Sequence, residues 1–105
     1  MIILLGHILG DMVFNWNEDK AEKNALKHGV TFEEAVTAFG DVNAQIYDDE
    51  EYSGDEERFL LLGYSKIYRL LIVCHCYRGS DDDIIRIISA RKATSHERLK
   101  YEQRR

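Results

Sequence analysis

Residues 67–77 carry apolar side chains at both alternating positions, Leu70, Ile72, Cys74 and Cys76 on one side and Leu71 and Val73 on the other. A strand with two apolar faces has to be covered on both and therefore sits inside a sheet. Its neighbours in sequence are also extended: residues 58–64 form a strong strand, 84–90 another, and 43–47 a weaker one. Proline is absent, so Gly, Asn and Asp mark the turns, with a polar turn at 79–83. Successive strands joined by short turns predict an antiparallel meander.

The first half reads mostly as helix. Residues 12–16 form a short strand, and Asn17 offers an N-cap to a helix running to about Lys27, with Glu18 and Asp19 in its first turn. Lys27 and His28 followed by Gly29 suit a helix end with a left-handed C′ residue. Thr31 and Glu34 form a capping-box pattern, with Val30 as staple residue and Phe32, Ala35, Val36 and Phe39 on one helical face. A second capping box, Thr94 with Glu97, opens a C-terminal helix to about Gln103. The chain of 105 residues is one domain, an α+β fold with two N-terminal helices, an antiparallel sheet and a C-terminal helix, the helices packed against one face. Residues 1–11 fit none of this and are expected to be an N-terminal extension, with the domain over 12–105 and the functional chain starting at Met12; the alternative is an extra edge strand.

Charge separates the halves. Residues 1–57 hold 14 Asp and Glu against three Lys, a net of −11, whereas residues 58–105 hold 11 Lys and Arg against five acids, a net of +6. Local fields decide partners, so an overall charge of −5 does not exclude a polyanion on the basic half. No apolar run is long enough to span a bilayer, and two cysteines are too few for a disulfide scaffold, which points to the cytoplasm. Cys74-His75-Cys76 does not read as a metal site. In a strand the sulfurs point one way and the imidazole the other, so no metal and no cofactor are expected.

Arg86 falls in the middle of an otherwise apolar strand, and Arg91 and Lys92 in the link to the last helix. A guanidinium there either opens onto a groove, where its planar fork suits phosphate, or forms an ion pair with an acid. Arg58 has Glu56 and Glu57 beside it, so an ion pair is the simpler reading for that residue. An imidazole suits a base acting on a ribose hydroxyl, so His28 is a candidate for that role, or it simply interacts with the last carbonyls of its helix.

Trp16-Asn17, Lys20-Ala21, Asn24, Lys27-His28-Gly29-Val30 and Phe32-Glu33-Glu34-Ala35 resemble the opening signature of the BrnT family of bacterial type II toxins. Arg86-Ile87-Ile88-Ser89-Ala90-Arg91-Lys92-Ala93-Thr94, Glu97-Arg98 and Tyr101-Glu102 resemble its closing signature, with Glu57-Arg58-Phe59 and Gly63 between. The resemblance spans about residues 12–102. It implies a RelE/ParE-like fold and metal-independent RNA cleavage that blocks translation. The implied partner is a BrnA-like antitoxin with a ribbon-helix-helix DNA-binding domain, assembled as a heterotetramer that reaches DNA only through the antitoxin. It also implies a catalytic set of His28, Arg58, Arg86 and Arg91, with Lys27 and Lys92 binding RNA.

Two other readings compete. One is a chain of this fold without catalysis, serving only as antitoxin partner and co-repressor. The other is an unrelated α+β protein whose basic half is merely surface.

Overall fold

The computed structural model describes residues 2–9, 12–52 and 54–103. Nine elements follow one another: β1 (Ile2–Leu9), β2 (Met12–Asn17), α1 (Glu18–His28), α2 (Phe32–Ala38), β3 (Gln45–Asp48), β4 (Phe59–Tyr64), β5 (Leu70–Arg78), β6 (Ile84–Lys92) and α3 (Ser95–Gln103). The strands form one six-stranded sheet in the order β1-β2-β6-β5-β4-β3. The meander β3 to β6 is antiparallel, as the sequence predicts, and β5 lies inside the sheet.

Two expectations are corrected. The sheet is mixed, because β2 pairs in parallel with β6, Asn15 standing opposite Arg86. The helices and the meander act as the crossover that parallel neighbours require. Periodicity fixes which residues are extended, not which edge an N-terminal strand joins. The helices also do not share one face. Helices α1 and α2 cover Leu61, Leu71, Val73, Ile85 and Ile87 together with Phe14 and Trp16, the helical face. On the other side, the open face, α3 seats Tyr101 on Leu62, Leu70 and Ile72 at one end only. That second cover is what the two-sided apolar pattern of β5 demands.

Residues 2–9 form the edge strand β1, antiparallel to β2. Met1, Gly10 and Asp11 lie outside the described residues.

Local signals are realised closely. The Asn17 side chain accepts from the Lys20 N–H at 3.1 Å, and Gly29 ends α1 at φ 70°, donating to the Ala25 carbonyl. Thr94 and Glu97 complete a reciprocal capping box at 3.1 and 2.8 Å. Thr31 accepts from the Glu34 N–H, but the Glu34 carboxylate leaves the box to bind Arg69 and Ser65, tying α2 to the β4–β5 hairpin. Register slips between Cys74 and His75: Cys74 faces Ser89 and His75 faces Ile87, leaving Ile88 as the extra residue of a bulge.

Candidate functional site

Strand alternation brings three of the predicted residues onto the open face. Cross-strand partners point the same way. Arg91 stands opposite Ile72, which packs under α3, and Arg86 stands opposite Cys76, two residues further along the same side of β5 from Cys74. Arg58 precedes β4 and is close enough to Cys74 for its charge to act on the thiol. Sequence reasoning passed over Arg78, which follows Cys76 on the same side and joins the group; the alternation of β5 carried that signal.

Acids engage most of these cations. Glu97 holds both terminal nitrogens of Arg91, at 2.8 and 2.9 Å. Those bonds raise the Arg91 pKa and, together with the N-terminal backbone of α3, hold the Glu97 carboxyl down at about 2. Glu56 binds Arg58 at 3.3 Å and Arg78 at 2.8 Å, and the Arg58 guanidinium sits 3.8 Å from the centre of the Tyr52 ring. Thus the ion-pair reading holds for Arg58. It does not hold for Arg86, which is half-buried and has no hydrogen bond or ion pair among the described residues. Its parallel neighbour Asn15 carries a buried Oδ1 that also has no hydrogen-bond partner among the described residues. A half-buried cation without a counter-charge is prepared for an anion, and the unsatisfied amide oxygen beside it for a hydrogen-bond donor, so a ligand carrying both suits the pair.

His28 comes to this region from the side. Asn24, one turn earlier in α1, donates to the Ala90 carbonyl at 2.8 Å and accepts from the Ala90 N–H at 3.1 Å, continuing the edge of β6 as a strand would. A residue four further along a helix lies on the same side of it, so the His28 end of α1 runs alongside the Ala90–Lys92 end of β6. His28 is half-buried, and no hydrogen bond joins it to Arg91. Lys27 and Lys92 are exposed. Lys92 pairs with Leu71, whose side chain belongs to the helical face, so it points away from the three arginines.

The cysteines and His75 divide as strand geometry requires. His75 is fully buried on the helical face, its ring 4.9 Å from Phe39, while Cys74 and Cys76 are free buried thiols. Burial, with Asp49 nearby, pushes the Cys74 thiol up to about 11, so it is protonated and a poor nucleophile at neutral pH. Among the described residues no three His, Cys, Asp or Glu side chains are grouped to hold a metal ion, and no helix is long and apolar enough to cross a membrane.

Residues 16–97 match the sequence model of a family described as "Ribonuclease toxin, BrnT, of type II toxin-antitoxin system". That span includes His28 and all four arginines of the open face, together with Glu97. The fold is similar to a 1.1 Å crystal structure of the Brucella abortus ribonuclease toxin BrnT, with a TM-score of 0.57 and 25% identity, covering 76% of this chain and 94% of that one. No curated protein sequence matches the chain.

Proposed function

The chain belongs to the BrnT family of ribonuclease toxins of type II toxin–antitoxin systems, and we propose from that premise that its open sheet face cleaves single-stranded RNA around Arg86. The observation that carries this reading is the cation itself: half-buried, aligned with Asn15, and without a counter-charge among the described residues. A phosphodiester supplies the anion that Arg86 lacks, and the neighbouring ribose 2′-hydroxyl a donor for the Asn15 Oδ1.

The chemistry needs no metal. The ribose 2′-oxygen attacks the adjacent phosphorus as its proton passes to a base, the phosphorus–5′-oxygen bond breaks, and an acid protonates the leaving oxygen. The products are a 2′,3′-cyclic phosphate and a 5′-hydroxyl. Negative charge grows on the non-bridging oxygens, where a preorganised guanidinium stabilises it most. Arg86 takes that role and Arg58 orients the phosphate. Arg91 does the same once the strand draws its fork from Glu97. His28 is the proposed base or acid, approaching from the end of β6, and Lys27 and Lys92 lead the flanking backbone in.

The fold's proposed kinship is with RelE and ParE. Its proposed cellular role is to block translation in the cytoplasm. The proposed partner is a BrnA-like, ribbon-helix-helix antitoxin in a heterotetramer, through which alone the complex meets DNA.

The test is cleavage of a labelled RNA in excess chelator by wild-type and Arg86→Ala protein. Losing a charge-stabilising donor should slow cleavage about a hundredfold while antitoxin binding persists. Full activity in a folded Arg86→Ala protein removes Arg86 from the site. One observation favours a second reading, a non-catalytic partner and co-repressor: carboxylates already occupy Arg58, Arg78 and Arg91. Folded wild-type protein that cuts neither free RNA nor translating messenger would establish it.

A further inference from the structure

Between α3 and the start of the acidic loop, the open face holds a cavity of about 260 Å³. It is smaller than the cavities that take drug-sized ligands, and has room for one ring system rather than two. Leu60, Leu62 and Ile72 give it an apolar floor, and Tyr47 lines it with an aromatic ring. Four charged residues line it: Asp48, Glu50, Glu97 and Lys100. Glu97 is already bound to Arg91, and Asp48 stands opposite Phe59, whose partner His75 belongs to the helical face. The Lys100 ammonium lies 3.6 Å from the centre of the Tyr47 ring. Glu50 is exposed and makes no hydrogen bond or ion pair among the described residues.

The cavity adjoins the phosphate-binding groups. Ile72 in its floor stands directly opposite Arg91, and Leu62 directly opposite Ile72, so a single cross-strand row leads from cation to cavity. A nucleotide whose phosphate lies on Arg91 therefore brings its base over this floor. Bases of single-stranded RNA are read by stacking and by hydrogen bonds to their Watson–Crick edges.

We infer that this cavity is a base-specificity pocket selecting guanine. With Glu97 taken up by Arg91 and Asp48 in the register of the helical face, the rim leaves Glu50, a carboxylate that only accepts, and Lys100, an ammonium that only donates. Guanine alone among the four bases presents two adjacent N–H donors, N1 and the 2-amino group, next to a carbonyl acceptor, O6. Glu50 takes the two donors as a bidentate pair, and Lys100 donates to O6. Adenine and cytosine each offer a single amino donor on that edge, and uracil a single ring N–H between two carbonyls. This inference rests on the RNA-cleaving reading and adds to it which nucleotide is recognised.

The test compares cleavage of short RNAs that differ only in having guanosine, inosine, adenosine or uridine at one position. A parallel NMR titration of the full chain uses guanosine and inosine 5′-monophosphates. Inosine keeps N1–H and O6 but lacks the 2-amino group. Cleavage next to guanosine should exceed that next to the other three by about tenfold or more, as loss of a bidentate contact predicts. Glu50→Gln should erase that gap. Guanosine monophosphate should bind more tightly than inosine monophosphate and shift the methyl signals of Leu60, Leu62 and Ile72. Equal cleavage at all four nucleotides overturns the inference and leaves the ribonuclease reading standing. If folded protein cuts neither these RNAs nor translating messenger, the ribonuclease reading falls, and the titration judges the pocket alone: equal affinity for the two monophosphates overturns it.

Discussion

Asn24 shows how a single polar side chain can set the geometry of the site. It is buried, and its amide bonds the Val30 carbonyl at 3.0 Å and both backbone groups of Ala90. Those contacts fix the end of α1, and with it His28, against the end of β6. Replacing Asn24 with Ala leaves three buried backbone groups unpaired, at about 1 kcal/mol or more each. Asn24→Ala should therefore lose about 3 kcal/mol and lower the thermal midpoint by at least about 10 °C, measured by calorimetry. A change within 2 °C would mean that water replaces the amide. The sequence marked Asn24 only as a member of a family pattern, because a contact spanning 66 positions has no local period. Arg86 was more legible: alternation in an apolar strand is enough to raise its question, though only the structure shows that no acid among the described residues answers it. Arg78 was legible in the alternation of β5, two residues beyond Cys76, and was passed over, whereas Asn15 looks ordinary until the parallel register sets it beside Arg86.

The acidic loop between β3 and β4 changes meaning once its contacts are known. In sequence it is a charge run. In the fold it lies across the basic face, with the Asp49 carboxylate 3.7 Å from the Cys74 sulfur, Tyr52 under Arg58, and Glu56 bridging Arg58 and Arg78. Glu51 is near enough to act on the charge of Arg91. The overall acidity of the chain therefore does not contradict a basic site, since part of the acid is stationed on that site. On the proposed reading, RNA competes with these carboxylates for the arginines. Glu56→Gln, a partly exposed change, should tighten RNA binding several-fold and steepen its salt dependence, because two more cations then meet phosphate. Fluorescence anisotropy with a labelled oligonucleotide at two salt concentrations measures both. Weaker binding by Glu56→Gln would show instead that Glu56 positions Arg58 and Arg78 for the ligand. The helices were legible for a simpler reason. Asn17, Gly29 and the two Thr–Glu pairs are signals complete within one turn, whereas the parallel pairing of β2 with β6 depends on residues about 70 positions apart.

For the whole molecule, the need to cover both faces of β5 has a consequence for acid stability. The helical side buries His75 completely among aromatic rings. Its Nδ1 donates to the Val73 carbonyl at 3.0 Å, so its Nε2 is left to accept from the Tyr77 hydroxyl at 3.3 Å, the pattern of a neutral imidazole. Burial lowers its pKa below the usual 6.5. The unfolded chain therefore binds the proton first, and this contribution to stability is complete above about pH 6.5 and declines as pH falls toward the lowered value. The open side adds a second, more acidic step. Arg91 and the first turn of α3 hold Glu97 at about 2 against an ordinary 4.5, so its contribution is complete above pH 4.5 and is lost as pH falls through about 2. Urea midpoints measured from pH 8 to pH 2.5 should fall in two stages. His75→Phe should blunt the first stage if the enlarged ring is accommodated, with His75→Gln as the polar control, and Glu97→Gln should blunt the second. A midpoint independent of pH between 8 and 5 would mean that His75 is not held neutral in the core, and would remove the link between the packing of that face and the charge state of the chain.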